Sequence, residues 1–178
     1  MRPARPTTPL PLDPAEARKA AFAVGLRLLA GREMSAARMR EKLQARGFGE
    51  DVVVETIERL TRVGALDDER AARAAARNLA AIKQRGRHRV VRELERLGFP
   101  PAHVEAAVAE VLGAIDESAV VARLVESRLH GTRRIPDPAA YRRLYGMLLR
   151  RGFPSSAIRT ALQPYWRGRA SAVETDEE

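Results

Sequence analysis

The sequence predicts an all-α protein built from three tandem three-helix units. A six-residue phrase recurs at residues 43–48, 94–99 and 148–153, with the letters LQARGF, LERLGF and LLRRGF. Its glycines are 51 and 54 residues apart, and apolar residues recur at spacings of four on both sides of each phrase. This pattern predicts two short amphipathic helices around every phrase. No segment shows the alternation that is typical of a strand.

The Gly-Phe pair of each phrase predicts the end of a helix. Glycine enters the left-handed backbone region without a Cβ penalty, and this is the conformation that closes many helices. In such a turn the residue after the glycine contacts the third residue from the helix end. We therefore expect three equivalent contacts, which are Phe48 with Leu43, Phe99 with Leu94 and Phe153 with Leu148.

The first unit begins at Asp13, which is suited to cap a helix that has Pro14 in its first turn. The apolar positions of this helix end near Gly31. Ser35 then predicts the cap of a second helix that runs to Arg46. A third helix is expected over residues 50–63.

The second and third units follow the same plan. Asp67 predicts a helix cap, with Asp68 and Glu69 favourable at the positive end of a helix that runs to about residue 84. Further helices are expected at 87–97, 100–112, 118–129, 137–151 and 154–165. The resulting domain organisation is a disordered leader at 1–12, units at 13–64, 65–114 and 115–167, and an acidic disordered tail at 168–178.

Composition and motifs argue against an enzyme. Cysteine is absent, so that neither disulfides nor cysteine-bound metal is expected, and the three histidines share no metal-ligand spacing. No phosphate-binding glycine loop and no catalytic constellation is present. No apolar run approaches a membrane span, and no signal peptide precedes the first helix. We expect a soluble cytoplasmic protein without cofactor or metal.

The positive charge lies at one position of the repeat. Residues 36–46, 83–97 and 133–151, around the middle helices, carry net charges of +3, +4 and +5, although the whole chain carries only +9. A solvated helix face explains any one of these residues, but their repetition indicates a surface for a polyanion or an acidic partner. The candidate binding residues are Arg38, Arg40, Lys42, Arg46, Lys83, Arg85, Arg87, Arg89, Arg92, Arg133, Arg134, Arg142 and Arg143.

Sequence-specific DNA reading is not expected from this chain. In a helix–turn–helix protein the helix after the turn carries Arg, Lys, Asn or Gln into the major groove. The helices after Gly47 and Gly98 are instead acidic or apolar. Stacking of single-stranded bases needs exposed aromatic rings, and only 4% of the chain is aromatic. The remaining aromatic residues are interpreted as packing residues, namely Tyr141, Tyr145, Tyr165 and Trp166.

The chain resembles the RecX family, bacterial regulators of the RecA recombinase. Three stretches carry the resemblance, and together they lie within residues 16–165. The first is LRLLA at 26–30 followed by SAARMREKLQARGF at 35–48. The second is GALDD at 64–68 followed by RGRHRVVREL at 85–94, and the third is LRRGFP at 149–154.

The resemblance implies an elongated, curved array of the three units. It also implies a protein that binds the RecA–single-stranded DNA filament and inhibits RecA ATPase, strand exchange and coprotease activity. We expect a monomer. Such a protein is a negative regulator in DNA repair, homologous recombination and the SOS response. Two alternatives stay open from the residues alone: a basic protein that binds single-stranded or duplex DNA without RecA, and a protein-interaction scaffold.

Overall fold

The computed structural model describes residues 13–129, 131 and 134–166, and the predicted leader and tail lie outside them. The prediction of an all-α repeat fold is confirmed. The described residues form helices α1 Pro14–Gly31, α2 Ala36–Gln44, α3 Glu50–Arg62, α4 Asp68–Arg77, α5 Arg87–Arg96, α6 Pro101–Gly113, α7 Glu117–Leu129, α8 Pro138–Arg150 and α9 Ser155–Leu162. We refer to α1–α3, α4–α6 and α7–α9 as the first, second and third units. No helix in this part of the chain is long and apolar enough to cross a bilayer.

Each unit has an apolar core of its own, and the repeated positions lie in it. Leu43, Leu94 and Leu148 are all completely buried. The three cores comprise residues from Ala21 to Leu66, from Ala71 to Leu112 and from Val121 to Leu162. Hydrophobic burial therefore stabilises each unit locally. The domain limits that the sequence suggests remain a prediction.

The segment after α4 differs from the helix that the sequence predicts. Regular α-helix stops at Arg77, and Asn78–Ile82 forms a π-helical turn in which the Lys83 N–H donates to the Asn78 carbonyl oxygen (3.0 Å). Gln84 then takes positive φ (50°), so that the chain leaves the helix before the predicted end at residue 84. The widened turn satisfies the last carbonyl groups through longer-range hydrogen bonds.

The three Gly-Phe turns have the predicted geometry. Gly47, Gly98 and Gly152 have φ angles of 84°, 78° and 90°. In every turn the phenylalanine N–H donates to the carbonyl oxygen of the repeated leucine over 3.3 Å. This is the six-residue hydrogen bond of a Schellman motif, and it brings each phenylalanine back over its own helix.

Neighbouring units meet at a junction that is the same in both places. The N-terminus of a middle helix packs against the Gly-Phe turn of the following unit. At the first junction the Ser35 hydroxyl donates to the Leu97 carbonyl oxygen. At the second junction the Gly86 N–H donates to the Arg151 carbonyl oxygen (2.9 Å). Ser35 and Gly86 are equivalent N-cap residues, and both acceptors directly precede the glycine of a turn.

The second junction leaves no space for a side chain at either glycine. A Cβ atom on Gly86 would lie 2.4 Å from the Gly152 carbonyl oxygen, and one on Gly152 would lie 2.3 Å from the Arg89 nitrogen. Both contacts are with backbone atoms, which cannot rotate away. The glycine that the repeat needs for its turn is therefore also needed for the contact between units.

An acidic residue of the following unit completes each junction. Asp68, at the start of α4, accepts a hydrogen bond from the Ala36 N–H of α2 (2.7 Å). Glu117, at the start of α7, accepts one from the Arg87 N–H of α5 (2.8 Å). These N–H groups have no partner inside their own helices, and the carboxylates also favour the positive helix ends. Asp68 thus caps a helix of the preceding unit, while Asp67 caps its own helix at the Arg70 N–H (2.9 Å).

The middle helix of the third unit has a different N-terminus. Its first residue is Pro138, which has no N–H to satisfy, and Asp137 accepts a hydrogen bond from the Ala140 N–H (2.7 Å). Asp137 therefore caps this helix from within its own unit, and the proline removes one of the N–H groups that would need an acceptor.

We expect Asp68→Ala and Glu117→Ala each to lower the free energy of unfolding by about 1 kcal/mol, because each leaves a helix N–H without its acceptor. Urea denaturation followed by circular dichroism measures the change. Glu105→Ala is the matched control, since Glu105 is exposed in the middle of α6. Losses no larger than that of the control would show that the carboxylates do not support the junctions.

Candidate functional site

Two of the four candidate basic residues of the first unit are paired with carboxylates of the same unit. Arg38 lies 3.9 Å from a Glu41 carboxylate oxygen, and Arg40 forms an ion pair with Glu50. Arg46 donates to the Lys42 carbonyl oxygen (2.7 Å), which satisfies an acceptor at the end of α2. Arg38 and Arg40 are therefore paired with carboxylates, whereas Lys42 and Arg46 form no ion pair within the described residues and keep their charge.

Several basic residues of the second unit lie around the carboxylate of Glu93. The Arg89 Nε donates to a Glu93 carboxylate oxygen (2.9 Å), and Arg96 lies 3.5 Å from the other oxygen. Burial raises the pKa of Glu93, whereas the Arg89 hydrogen bond and the charges of Arg89, Arg96 and Lys83 lower it. The lowering effects together are larger, so that the net shift of the pKa is downward. This carboxylate stays ionised and neutralises part of the basic segment.

Two further candidates in this unit, Arg87 and Arg92, form hydrogen bonds that involve backbone atoms. The Arg92 Nε donates to the His88 carbonyl oxygen (3.3 Å) within α5. Arg87 is partly buried at the second junction, where its backbone N–H donates to Glu117. Both residues therefore help to fix the helix as well as to charge its surface.

The third unit presents its arginines without acidic partners. The helix α8 contains no acidic residue, and Arg142 and Arg143 are exposed on it. Within the part of the chain that the structure describes, neither these two nor Arg134 forms an ion pair. Arg133 lies outside the described residues. The charges of Arg142 and Arg143 on α8 are therefore not neutralised by a carboxylate of the described residues.

A cleft of about 550 Å³ lies between α7 and α8 and collects several of these charges. Its walls are apolar, with Leu144 and Met147 from α8 and Pro136 from the loop before it. Among the candidate residues the structure brings together Arg134 and Arg143 at this cleft. Arg128 of α7, which the sequence analysis did not select, joins them.

A second residue that the sequence analysis did not select is Arg151, which follows α8 directly. Burial lowers the pKa of its guanidinium, and the positive charges of Arg85 and Arg128 lower it further. The backbone hydrogen bond from the Gly86 N–H to the Arg151 carbonyl oxygen (2.9 Å) brings the segments of Arg85 and Arg151 together at the second junction. Arg151 could have been found, because it directly precedes the glycine of the repeated phrase. No pattern in the sequence marks Arg128.

Other potential sites are less suited to a polyanion. A cleft of about 460 Å³ at the first junction is acidic, with Asp67, Asp68 and Glu69 in its wall. Among the described residues, no group of three or more His, Asp or Glu side chains is placed to hold a metal ion. The rings of Tyr141 and Trp166 lie 5.2 Å apart and pack against the third core, as predicted for these aromatic residues.

Comparison with known proteins gives consistent similarities. Family models described as the first and the third three-helix domain of RecX match residues 21–60 and 116–162. A protein named Regulatory protein RecX from Trichlorobacter lovleyi is 37% identical over 142 residues, which cover 78% of this chain and 90% of that relative. Another protein of the same name, from Pelodictyon phaeoclathratiforme, is 31% identical, and the match covers 80% of this chain and 87% of that relative.

Solved structures show the same fold. The crystal structure of RecX from Lactobacillus salivarius superposes with a TM-score of 0.72 and covers 84% of this chain and 96% of that protein. The sequences are only 18% identical, so this likeness concerns the arrangement of helices.

Glu93→Gln tests the internal neutralisation in the second unit. We expect a loss of about 0.5–1 kcal/mol in the free energy of unfolding at pH 7, because Arg89 and Arg96 lose their carboxylate. The folded-state pKa of Glu93 lies below its usual value of 4.5, so this stabilisation is present above pH 4.5 and is lost as the pH falls through the folded value. Urea denaturation of both proteins over a pH series measures it. A difference that persists unchanged at low pH would contradict the assignment.

Proposed function

This chain belongs to the RecX family, and on that premise we propose that it is a non-catalytic regulator of the RecA recombinase. In this proposal it binds the RecA–single-stranded DNA filament as a cytoplasmic monomer. It lowers RecA ATP hydrolysis, strand exchange and coprotease activity, and it thereby restrains homologous recombination and the SOS response. Beyond family membership, one observation carries the proposal: the exposed arginines of α8 have no acidic partner among the described residues.

The repeat architecture supports a partner that itself repeats. Each unit of a helical repeat contacts mainly its neighbours, so equivalent surfaces recur along the chain. A filament presents equivalent protomers in the same way. The unneutralised charge of Arg142 and Arg143 then supplies attraction to a polyanionic assembly, and this attraction weakens as salt increases.

The same arginines also favour a second candidate function, which is non-specific nucleic-acid binding without RecA. The two functions differ in what limits their effect. A protein that only covers DNA inhibits RecA when it is abundant enough to coat the strand, and additional DNA relieves the inhibition. A protein that acts on the filament inhibits at far fewer copies than RecA protomers.

The test is the rate of DNA-dependent ATP hydrolysis by RecA, measured on single-stranded DNA while this protein is titrated in. The proposal predicts inhibition well below one copy per RecA protomer. Inhibition that requires coating amounts and disappears with extra DNA would favour the second candidate. Unchanged hydrolysis at every ratio would contradict both filament inhibition and competition for DNA.

Paired variants locate the responsible charge. We expect Arg142→Gln/Arg143→Gln to raise the concentration for half-maximal inhibition about tenfold, because it removes two unneutralised contacts to a polyanion. Arg38→Gln/Arg40→Gln removes the same formal charge from residues that are already paired with Glu41 and Glu50. It should change inhibition much less. Equal effects of the two variants would show that only total charge matters.

A further inference from the structure

The third unit has an excess of positive charge that its own acids do not neutralise. Residues 115–166 contain nine arginines and four acids. All four acids accept hydrogen bonds from other groups: Asp116 from the Ser118 and Ala119 N–H, Glu117 from the Arg87 N–H, Glu126 from the Tyr165 hydroxyl, and Asp137 from the Ala140 N–H. Within the described residues none of them forms an ion pair with an arginine. The charge of these arginines is thus not balanced inside the unit.

Three of these arginines line the cleft between α7 and α8. Arg128 comes from α7, Arg134 from the loop before α8, and Arg143 from α8, and all three are exposed. Apolar side chains of Leu144 and Met147 line the same cleft. Because the guanidinium fork matches a carboxylate, a cleft of this kind suits a peptide that carries both apolar and acidic side chains.

The last described residues of the chain lie beside this cleft. The Ile135 N–H donates to the Tyr165 carbonyl oxygen (2.8 Å), so that the loop with Arg134 is fixed to the end of the described chain. The ring of Trp166 lies 5.2 Å from the ring of Tyr141, in the first turn of α8. The residues that follow Trp166 therefore begin close to the cleft.

The segment that follows has the composition that such a cleft requires. It reads RGRASAVETDEE at 167–178, so that arginines occur only at its beginning and four acids follow Val173. Val173 comes seven residues after Trp166, and an extended chain of this length spans up to about 25 Å. Met147 lies on α8 six residues after Tyr141, which is about 9 Å along the helix axis. The acids are thus within reach of the arginines of the cleft.

We propose that residues 173–178, the acidic segment, bind in the cleft between α7 and α8 of the same molecule. Carboxylates of the segment pair with Arg128, Arg134 and Arg143, and Val173 contacts the apolar wall. The short connection to Trp166 gives the segment an effective concentration in the millimolar range, which favours it over an acidic peptide from outside. A polyanion that approaches this face has to displace the segment. The binding itself involves no recombinase and is independent of the proposed function.

The test traps the acidic segment in the full chain with a single disulfide, because the chain has no cysteine of its own. Met147→Cys/Val173→Cys, the cleft pair, places one thiol in the cleft and one in the segment. Leu149→Cys/Val173→Cys is the matched control pair, since Leu149 is exposed on the same helix and does not line the cleft. Each protein is equilibrated in a glutathione redox buffer, and mass spectrometry measures the fraction with an intramolecular disulfide. This fraction gives the effective concentration of the two thiols.

The proposal predicts an effective concentration about tenfold or more higher in the cleft pair than in the control pair at low salt. Two sets of substitutions in the cleft pair should each remove most of this difference: Arg128→Gln/Arg143→Gln, and the change of all four acids of the segment to their amides. Arg123→Gln/Arg159→Gln removes two exposed arginines of the same unit that do not line the cleft, and it should keep the difference. Circular dichroism of the reduced proteins checks that every variant is folded.

Three results would overturn the proposal. Equal effective concentrations in the cleft pair and the control pair would show that the acidic segment is not held in the cleft, which is then open to an acidic partner from outside. A difference that survives both neutralising sets would show that charge does not hold the segment. A disulfide that links two chains would show that the segment of a second copy fills the cleft.

Discussion

The structure depends on how each middle helix satisfies the N–H groups at its start. These groups lack partners inside the helix, and in the first two units the following unit accepts a hydrogen bond from one of them. The Ala36 N–H donates to Asp68 and the Arg87 N–H donates to Glu117, at equivalent positions of the repeat. The third unit has Pro138 there and requires no further acid. The hydrogen bonds at these helix ends thus join each of the first two units to the next.

The same junctions determine where charge is exposed. The second junction brings the basic loop around Arg85 against the end of α8, and it places Arg151 beside it. In the first two units Glu50 forms an ion pair with Arg40, and Glu93 forms one with Arg89. The third unit has no such acid on α8, so its arginines stay available for a ligand.

Much of the fold could be predicted from the sequence, because the signals are local. The Gly-Phe turns, the caps at Asp13, Ser35 and Asp137, and the buried leucines follow from spacing and residue type alone. The π-helical turn at Asn78–Ile82 could not be predicted, since no residue pattern in this alanine-rich segment marks it. Nor could the role of Asp68, because its partner Ala36 lies 32 residues earlier in the chain.

The candidate site was harder to predict than the fold. Counting charges selects Arg40 and Arg143 equally, but only contacts in three dimensions show that the first is neutralised by Glu50. Arg128 could not be selected at all, because it carries no repeated feature and matters only through neighbours from other helices. Charge patterns therefore indicate a surface, and tertiary contacts indicate which residues on it are free.

We expect neighbouring units to separate at their junctions only when their cores unfold. Amide hydrogen exchange on the full chain tests this most directly. The amides of Gly86 and His88, which donate across the second junction, should exchange with free energies close to those of Val90 and Leu94 in the core of α5. Exchange of Gly86 and His88 as fast as in an exposed loop would show that the units separate freely, and it would contradict the account.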